Sequence, residues 1–389
     1  MVKRRRLLSL VSTTRRTSPI RLILDILSGL PPDEYEICVA TLSSDPEDNL
    51  RDEFLARGFR CLSLGLDGAR RWLPLRCVRD LVRRENPDIL YTMGIRPDLF
   101  GGAAGLAHGV PARVQTLCNV PYDDYRNLYG RGVGSLAWAA HRRALRRCFH
   151  RVVLLATRMS EQMRFQGIPE ERIQVILSGG DFRGFTPPSE EQRRAARERL
   201  FGGDDPGLVA AFVGELHRPK GVFDLLHAAA EVERQGVGVT WLLIGKATET
   251  EELKRLAGAL GILPRLRFPG VLEDVPGALA AADMFVHASH TEGLSRALLE
   301  GMAMGLPPVV TDISGSRDVI TDPTYGIVVP PEDPAGFAKG VVELAASADL
   351  RAKMGRRGRE RIESHFTAKR MAGEYHDLFS TLLVGKGSA

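Results

Sequence analysis

Two carboxylates eight residues apart, Glu292 and Glu300, sit in the stretch AADMFVHASHTEGLSRALLEGMAMGLPPVVTD, residues 281–312. The stretch reads as a strand ending at Ala288, a polar loop over Ser289–Gly293, and a helix that begins near Ser295 and stops at Gly305 before Pro307. Gly293 lets backbone approach a ligand closely, and the free N–H groups at the helix start suit an anion such as a diphosphate. Eight residues at ~1.5 Å each put the carboxylates up to ~12 Å apart. One could then accept hydrogen bonds from sugar hydroxyls and the other from ribose hydroxyls, with the diphosphate between them. Taken singly, Glu292 also suits the start of any helix and Glu300 a solvated helix face. Their coincidence with the loop and the glycine points to a ligand.

Such a loop needs a strand and a helix to aim it, and the chain alternates the two throughout. Leu7–Ser12, Tyr35–Leu42, Ile89–Thr92, Arg113–Leu117, Arg151–Leu155 and Ile173–Ile176 read as short apolar strands, with helical segments such as Ile20–Leu30 and Pro74–Glu85 between them. After a polar, Arg/Glu-rich segment the rhythm restarts with Leu208–Val213, Thr240–Ile244, Leu266–Phe268, Met284–Ala288, Pro308–Thr311 and Gly326–Val329. The fold class expected is α/β, with two doubly wound Rossmann-like domains facing across a cleft and ligands at the carboxyl ends of the strands. The expected division is an acceptor-side domain over residues 1–185, a linker over 186–206, a donor domain over 207–366, and a terminal helix over 367–389 packing back on the first domain.

Composition agrees with a globular chain of two domains: 389 residues, 44% hydrophobic and 26% charged. Apolar runs stay far below the ~18 residues of a membrane span, and Leu7–Val11 behind Lys3–Arg6 is shorter than a secretory core, so a cytoplasmic protein is expected. The five cysteines are odd in number and form no Cys-x-x-Cys pair, which reads as reduced, packed thiols. Net charge is +5, divided unevenly: residues 1–180 hold 28 basic against 19 acidic side chains (+9), and residues 181–389 hold 25 against 29 (−4). Arg142, Arg143, Arg146, Arg147 and Arg151 read as one helical stripe, either a solvated face or a surface for anionic lipid or a phosphate-bearing acceptor. Nucleic acid is not expected as a partner, because no recognition motif accompanies this modest excess. A strict G-x-G-x-x-G is missing, since Gly130 and Gly132 are followed by Ser135, and there is no P-loop and no Asp-x-Asp. A metal-independent site with no cofactor is the expectation.

The loop Glu, the following Gly, the second Glu eight residues on and the Met302-Ala303-x-Gly305-x-Pro307 run resemble the signature of the retaining glycosyltransferases of family 4, with the GT-B fold. FVGELHRPKGVFDLL (212–226) resembles that family's glycine turn and Lys-Gly pair; IQVILSGGDFRGF (173–185) and GIVVPP (326–331) also match. The resemblance implies Glu292 and Lys220 as catalytic groups, with Lys220 on the donor phosphates; Arg218, two residues before Lys220, is expected from its proximity alone as a second cation in the catalytic set. It implies Gly214, Gly293, Leu294, Ser295 and Glu300 as donor-binding, and Thr17 and Asn119 on the acceptor side; Asp124, close behind Asn119, is an acceptor-side candidate by its position, with a plain loop surface as the alternative. Three departures stand out: Glu215 where the family commonly has Arg, Cys118 where many relatives have His, and a glycine-free STTRRTSP (12–19) after the first strand.

What the resemblance implies is transfer of a sugar from a nucleotide sugar, UDP ahead of GDP, to a hydroxyl on a glycan or lipid-linked saccharide, with retention at the anomeric carbon. Polysaccharide or glycolipid biosynthesis at the inner membrane face, with an anionic membrane surface as a partner, fits the basic first half. The rival readings are a GT-B nucleotide-sugar epimerase and a non-catalytic nucleotide-sugar-binding subunit.

Overall fold

The computed structural model describes residues 4–67, 74–119, 125, 130–203, 205–246 and 249–384; Asp124 lies outside them. The chain divides into two compact units, residues 1–180 with 368–389, and residues 181–367.

The first unit is a seven-stranded sheet of β1 (Arg5–Val11), β2 (Tyr35–Thr41), β3 (Arg60–Ser63), β4 (Ile89–Met93), β5 (Ala112–Leu117), β6 (Arg151–Leu154) and β7 (Ile173–Val175), in the order β3-β2-β1-β4-β5-β6-β7. All pairings are parallel. Strands covered on both faces are buried at every position, as β4 and β5 are; β4 is mostly apolar, whereas the buried Arg113, Gln115 and Thr116 of β5 are each hydrogen-bonded. The terminal helix Ala368–Val384 seals this core: Tyr91 donates to Thr116 Oγ1 at 3.1 Å, and the Tyr375 hydroxyl lies 2.7 Å from the same oxygen. The Tyr91 and Tyr375 rings meet edge to face at 5.7 Å.

The second unit is a six-stranded sheet of β8 (Leu208–Val213), β9 (Val239–Ile244), β10 (Leu266–Gly270), β11 (Met284–His287), β12 (Pro308–Thr311) and β13 (Ile327–Val329), in the order β10-β9-β8-β11-β12-β13. It repeats the doubly wound order, and its strands are again parallel. Trp241, Phe212, Leu243 and Val286 anchor its core.

Three sequence readings need correcting. The expected linker contains the helix Glu190–Phe201, started by a Ser189–Gln192 capping box, and it belongs to the second unit. Arg193 and Arg197 both pair with Asp283, which also accepts the Val209 N–H at 2.7 Å. Strand β3 was not anticipated. Arg151 leaves the arginine stripe, because the helix ends at Cys148 and Arg151 opens β6. Arg172 takes its place beside Arg142, Arg143, Arg146 and Arg147, lining a groove of about 460 Å³.

Candidate functional site

In the second sheet the strand order reverses between β8 and β11, and an open α/β sheet has its ligand crevice at such a reversal, beyond the strand ends. Residues 214–221 leave β8 there and residues 288–295 leave β11. Gly221 has φ +66°, and a Cβ on it would sit 1.8 Å from the Ala288 carbonyl oxygen, so only glycine lets the two loops close on each other. Pro219 O then accepts the His290 N–H at 3.0 Å and the Ser289 hydroxyl at 3.3 Å. From the outer side, His290 Nε2 lies 2.6 Å from Asp224 Oδ2. The sequence places Lys220 and Glu292 far apart, and this bracing brings them together.

Lys220 Nζ donates to Glu292 Oε1 at 2.7 Å, and His287 Nε2 lies 2.9 Å from the same oxygen. Glu292 is 15% exposed, Lys220 28% and His287 2%. Burial alone would push the Glu292 carboxyl up; His287 and the Lys220 ammonium outweigh it and hold the group well below the usual carboxylate range. The result is an anion paired with a cation, at a loop whose next helix is capped by Ser295. That serine caps the helix Arg296–Ala303 by accepting the Leu298 N–H, and it is 6% exposed. Gly293 and Leu294 complete the turn, with Leu294 buried at 7% exposure. The arrangement can neutralise an anionic ligand through Lys220 and accept hydrogen bonds from hydroxyl groups through Glu292.

Glu300 lies inside that helix and receives Arg296 Nε at 2.9 Å, both side chains 14% exposed. Arg218, expected as a second cation, is turned elsewhere: it pairs with Glu252 and stacks 4.2 Å over the Phe223 ring. Glu215 is 65% exposed and faces His217 at 3.8 Å. Gly214 starts the β8 loop by donating to Ile244 O at 3.0 Å. Sequence reasoning missed His287. Its signal was available, a histidine at an inward-facing strand end five residues before the loop carboxylate.

Residues 197–361 match the family of glycosyl transferases group 1, and residues 19–179 match the glycosyl transferase 4-like domain. The chain belongs to the family 4 glycosyltransferases. It is 32% identical over 232 residues to the alpha-D-kanosaminyltransferase of Streptomyces kanamyceticus, 58% of this chain and 59% of that protein. It is 23% identical over 98% of its length to the UDP-Gal:alpha-D-GlcNAc-diphosphoundecaprenol alpha-1,3-galactosyltransferase of Escherichia coli, covering 96% of it. Against relatives around 30% identical, the chain spans about half of their length. Among solved structures, Anabaena HepE with UDP-glucose superposes with a TM-score of 0.84 at 18% identity, over 97% of this chain and 100% of that one. This likeness identifies the fold as GT-B.

The first unit of this family member carries its own crevice at the matching place, where the strand order reverses between β1 and β4. A cavity of about 430 Å³ is lined there by Thr17, Met93, Asp98, Cys118, Asn119 and His141, among others. Thr17 and Asn119 thus share one wall system, as does Cys118, whose thiol lies 3.4 Å from Met93 Sδ. Its floor holds a chain of polar groups centred on Asp98 and His141, two residues that the sequence reading did not single out. Asp98, fully buried, accepts from Thr92 Oγ1 at 2.6 Å and Gln115 Nε2 at 3.2 Å, and lies 2.9 Å from His141 Nε2. His141 Nδ1 is 2.9 Å from the Tyr125 hydroxyl. Burial pushes the Asp98 carboxyl up, and the pairing with His141 opposes it without prevailing.

Proposed function

We propose that the protein moves a hexosyl group from a UDP-linked sugar to a hydroxyl acceptor, with retention at the anomeric carbon and without a bound metal, in the assembly of a bacterial polysaccharide or glycolipid. The observation that carries this reading is the Lys220–Glu292 pair, 2.7 Å apart beside the capped start of the helix Arg296–Ala303. Bond cleavage leaves negative charge on the departing diphosphate, and Lys220 together with the Gly293–Ser295 amides is placed to stabilise it. Glu292 holds the donor sugar, Glu300 the ribose, and Lys220 rather than Arg218 supplies the cation. The cavity of the first unit takes the acceptor. UDP is favoured because the Escherichia coli relative is named for UDP-galactose and HepE was crystallised with UDP-glucose.

Surface chemistry supports the reading of the acceptor and of the site of action. No helix among the described residues is long and apolar enough to cross a membrane. Next to the five-arginine groove, Val133, Leu136 and Phe165 are 64%, 74% and 90% exposed. Trp138 and Arg142 of the same helix bond Gln166, the neighbour of Phe165, at 3.1 and 3.3 Å. Arginines beside exposed apolar side chains suit the anionic inner face of a membrane, where a lipid-linked saccharide would be met.

Thermal-shift measurement against UDP- and GDP-sugars tests the donor, with stabilisation by a UDP-sugar expected. The anomeric coupling of the product, and turnover in the presence of a chelator, test retention and metal independence. Donor consumed to an epimer, or no stabilisation by any nucleotide sugar, would defeat the reading. Vesicles containing anionic lipid should bind the protein at low salt and release it at high salt.

A further inference from the structure

Glu292 has two carboxylate oxygens, and both of its donors converge on one. Lys220 Nζ and His287 Nε2 lie 2.7 and 2.9 Å from Oε1. The two donors differ in freedom. Lys220 stands on a flexible stem, 28% exposed, and an ammonium exchanges readily between one anion and another. His287 is 2% exposed, ends β11, and has its ring nearly parallel to those of Phe212 and Phe285, 6.0 and 6.3 Å away. Its backbone pairs with Val310 of β12 in the parallel sheet, which pins it as well. Because a carboxylate only accepts, the proton between His287 and Glu292 belongs to Nε2. Nδ1 of the same ring is buried with no partner among the described residues, so Nε2 makes the ring's one side-chain contact with the loop.

Resting on the donor reading above, we propose that His287 is the positioning residue that keeps Glu292 in place when a donor phosphate draws Lys220 away. The loop carboxylate is thus held twice before the nucleotide sugar binds and once afterwards, by the donor that cannot move. Oε2 stays turned to the sugar hydroxyls throughout. Without His287, the arrival of phosphates at Lys220 would release Glu292 to swing, and the loss would fall on the sugar and not on the nucleotide.

The test measures the affinities of UDP and of UDP-glucose by calorimetry on the full chain, for the wild type, His287→Leu and His287→Gln. Gln can place its amide nitrogen near the position of Nε2, whereas Leu keeps the volume and removes the donor. The wild type should prefer UDP-glucose to UDP, His287→Leu should lose about tenfold of that preference, and His287→Gln should recover most of it. UDP affinity itself should stay within about twofold in all three, which also establishes that the variants are folded. Nitrogen-edited NMR of the wild type adds a second readout: the slowly exchanging Nε2–H of His287 should persist at saturating UDP. A His287→Leu protein that keeps its preference, a His287→Gln protein that loses it equally, a wild type indifferent to the sugar, or loss of the Nε2–H on UDP binding would each overturn the inference. A wild type that binds neither compound would instead defeat the transferase reading itself.

Discussion

Each unit buries one carboxylate at the reversal point of its sheet and sets a histidine 2.9 Å from it, Asp98 with His141 and Glu292 with His287. The remaining partners separate the two sites. Asp98 is completed by a neutral hydroxyl and a neutral amide, and its carboxyl is pushed up; Glu292 is completed by an ammonium, and its carboxyl is held down. Neutral donors inside a closed wall have nowhere else to go and act as scaffold. An ammonium at a partly open loop can be taken by an incoming anion, so the second site, unlike the first, has a partner that a ligand could draw away. Removing the carboxylate should therefore damage function in one unit and folding in the other.

The largest expected effect is on turnover. Glu292→Gln or Lys220→Ala should lower kcat by about 10²–10³-fold, the loss typical of removing one electrostatic stabiliser of a transition state. Both proteins should keep the wild-type far-ultraviolet circular dichroism and a thermal midpoint within a few degrees. Asp98→Ala comes next and should act on the fold, because it strands the buried donors of Thr92, Gln115 and His141. A loss of about 3 kcal/mol in the stability of the first unit is expected, read by hydrogen exchange on β4 and β5. A stable Asp98→Ala protein with lost turnover would erase the contrast.

The candidate site of the second unit was legible because its residues are local: Glu292, Gly293, Ser295 and Glu300 fall within one strand-loop-helix turn. The strands of the second unit were legible too, since parallel strands such as β9 are buried at all six positions and leave an apolar run in the sequence. Strand β3 leaves no such mark, because it forms an edge with both ends exposed and opens on Arg60. The helix Glu190–Phe201 was taken for a linker because it buries only Ala196 and Phe201 and is held mainly by ion pairs. Asp98 and His141 are 43 residues apart, and no spacing rule joins an aspartate in the first turn of one helix to a histidine in the middle of another. His287 lay within the motif and was still missed, for its role depends on which oxygen of Glu292 it reaches.

A smaller effect separates two cations that the sequence treats alike. Arg218 is engaged by Glu252 and Phe223 on an exposed surface, whereas Lys220 reaches Glu292. Arg218→Ala should change kcat/KM by less than about fivefold, in keeping with the small worth of exposed ion pairs. A loss equal to that of Lys220→Ala would place Arg218 back on the donor phosphates.

The smallest effect is the pH dependence of stability, and its sign differs between the units. Asp98 has its folded value above the ordinary one of about 3.9, so the folded state binds the proton more tightly than the unfolded chain. Charged Asp98 therefore opposes folding at neutral pH, and the opposition fades as pH falls through the raised value toward the ordinary one. Glu292 has its folded value below the ordinary one of about 4.3, so its contribution is complete above that value and is lost only as pH falls beneath it. Asp98→Asn and Glu292→Gln remove the titrating groups and serve as references. From pH 7 down to about 4.5, the thermal midpoint of the wild type relative to Asp98→Asn should rise, whereas relative to Glu292→Gln it should stay level and then drop under further acid. Parallel curves for the two references would mean that the ammonium of Lys220 does not distinguish the two buried carboxylates, and the contrast between a scaffold and a responsive site would fail at its electrostatic root.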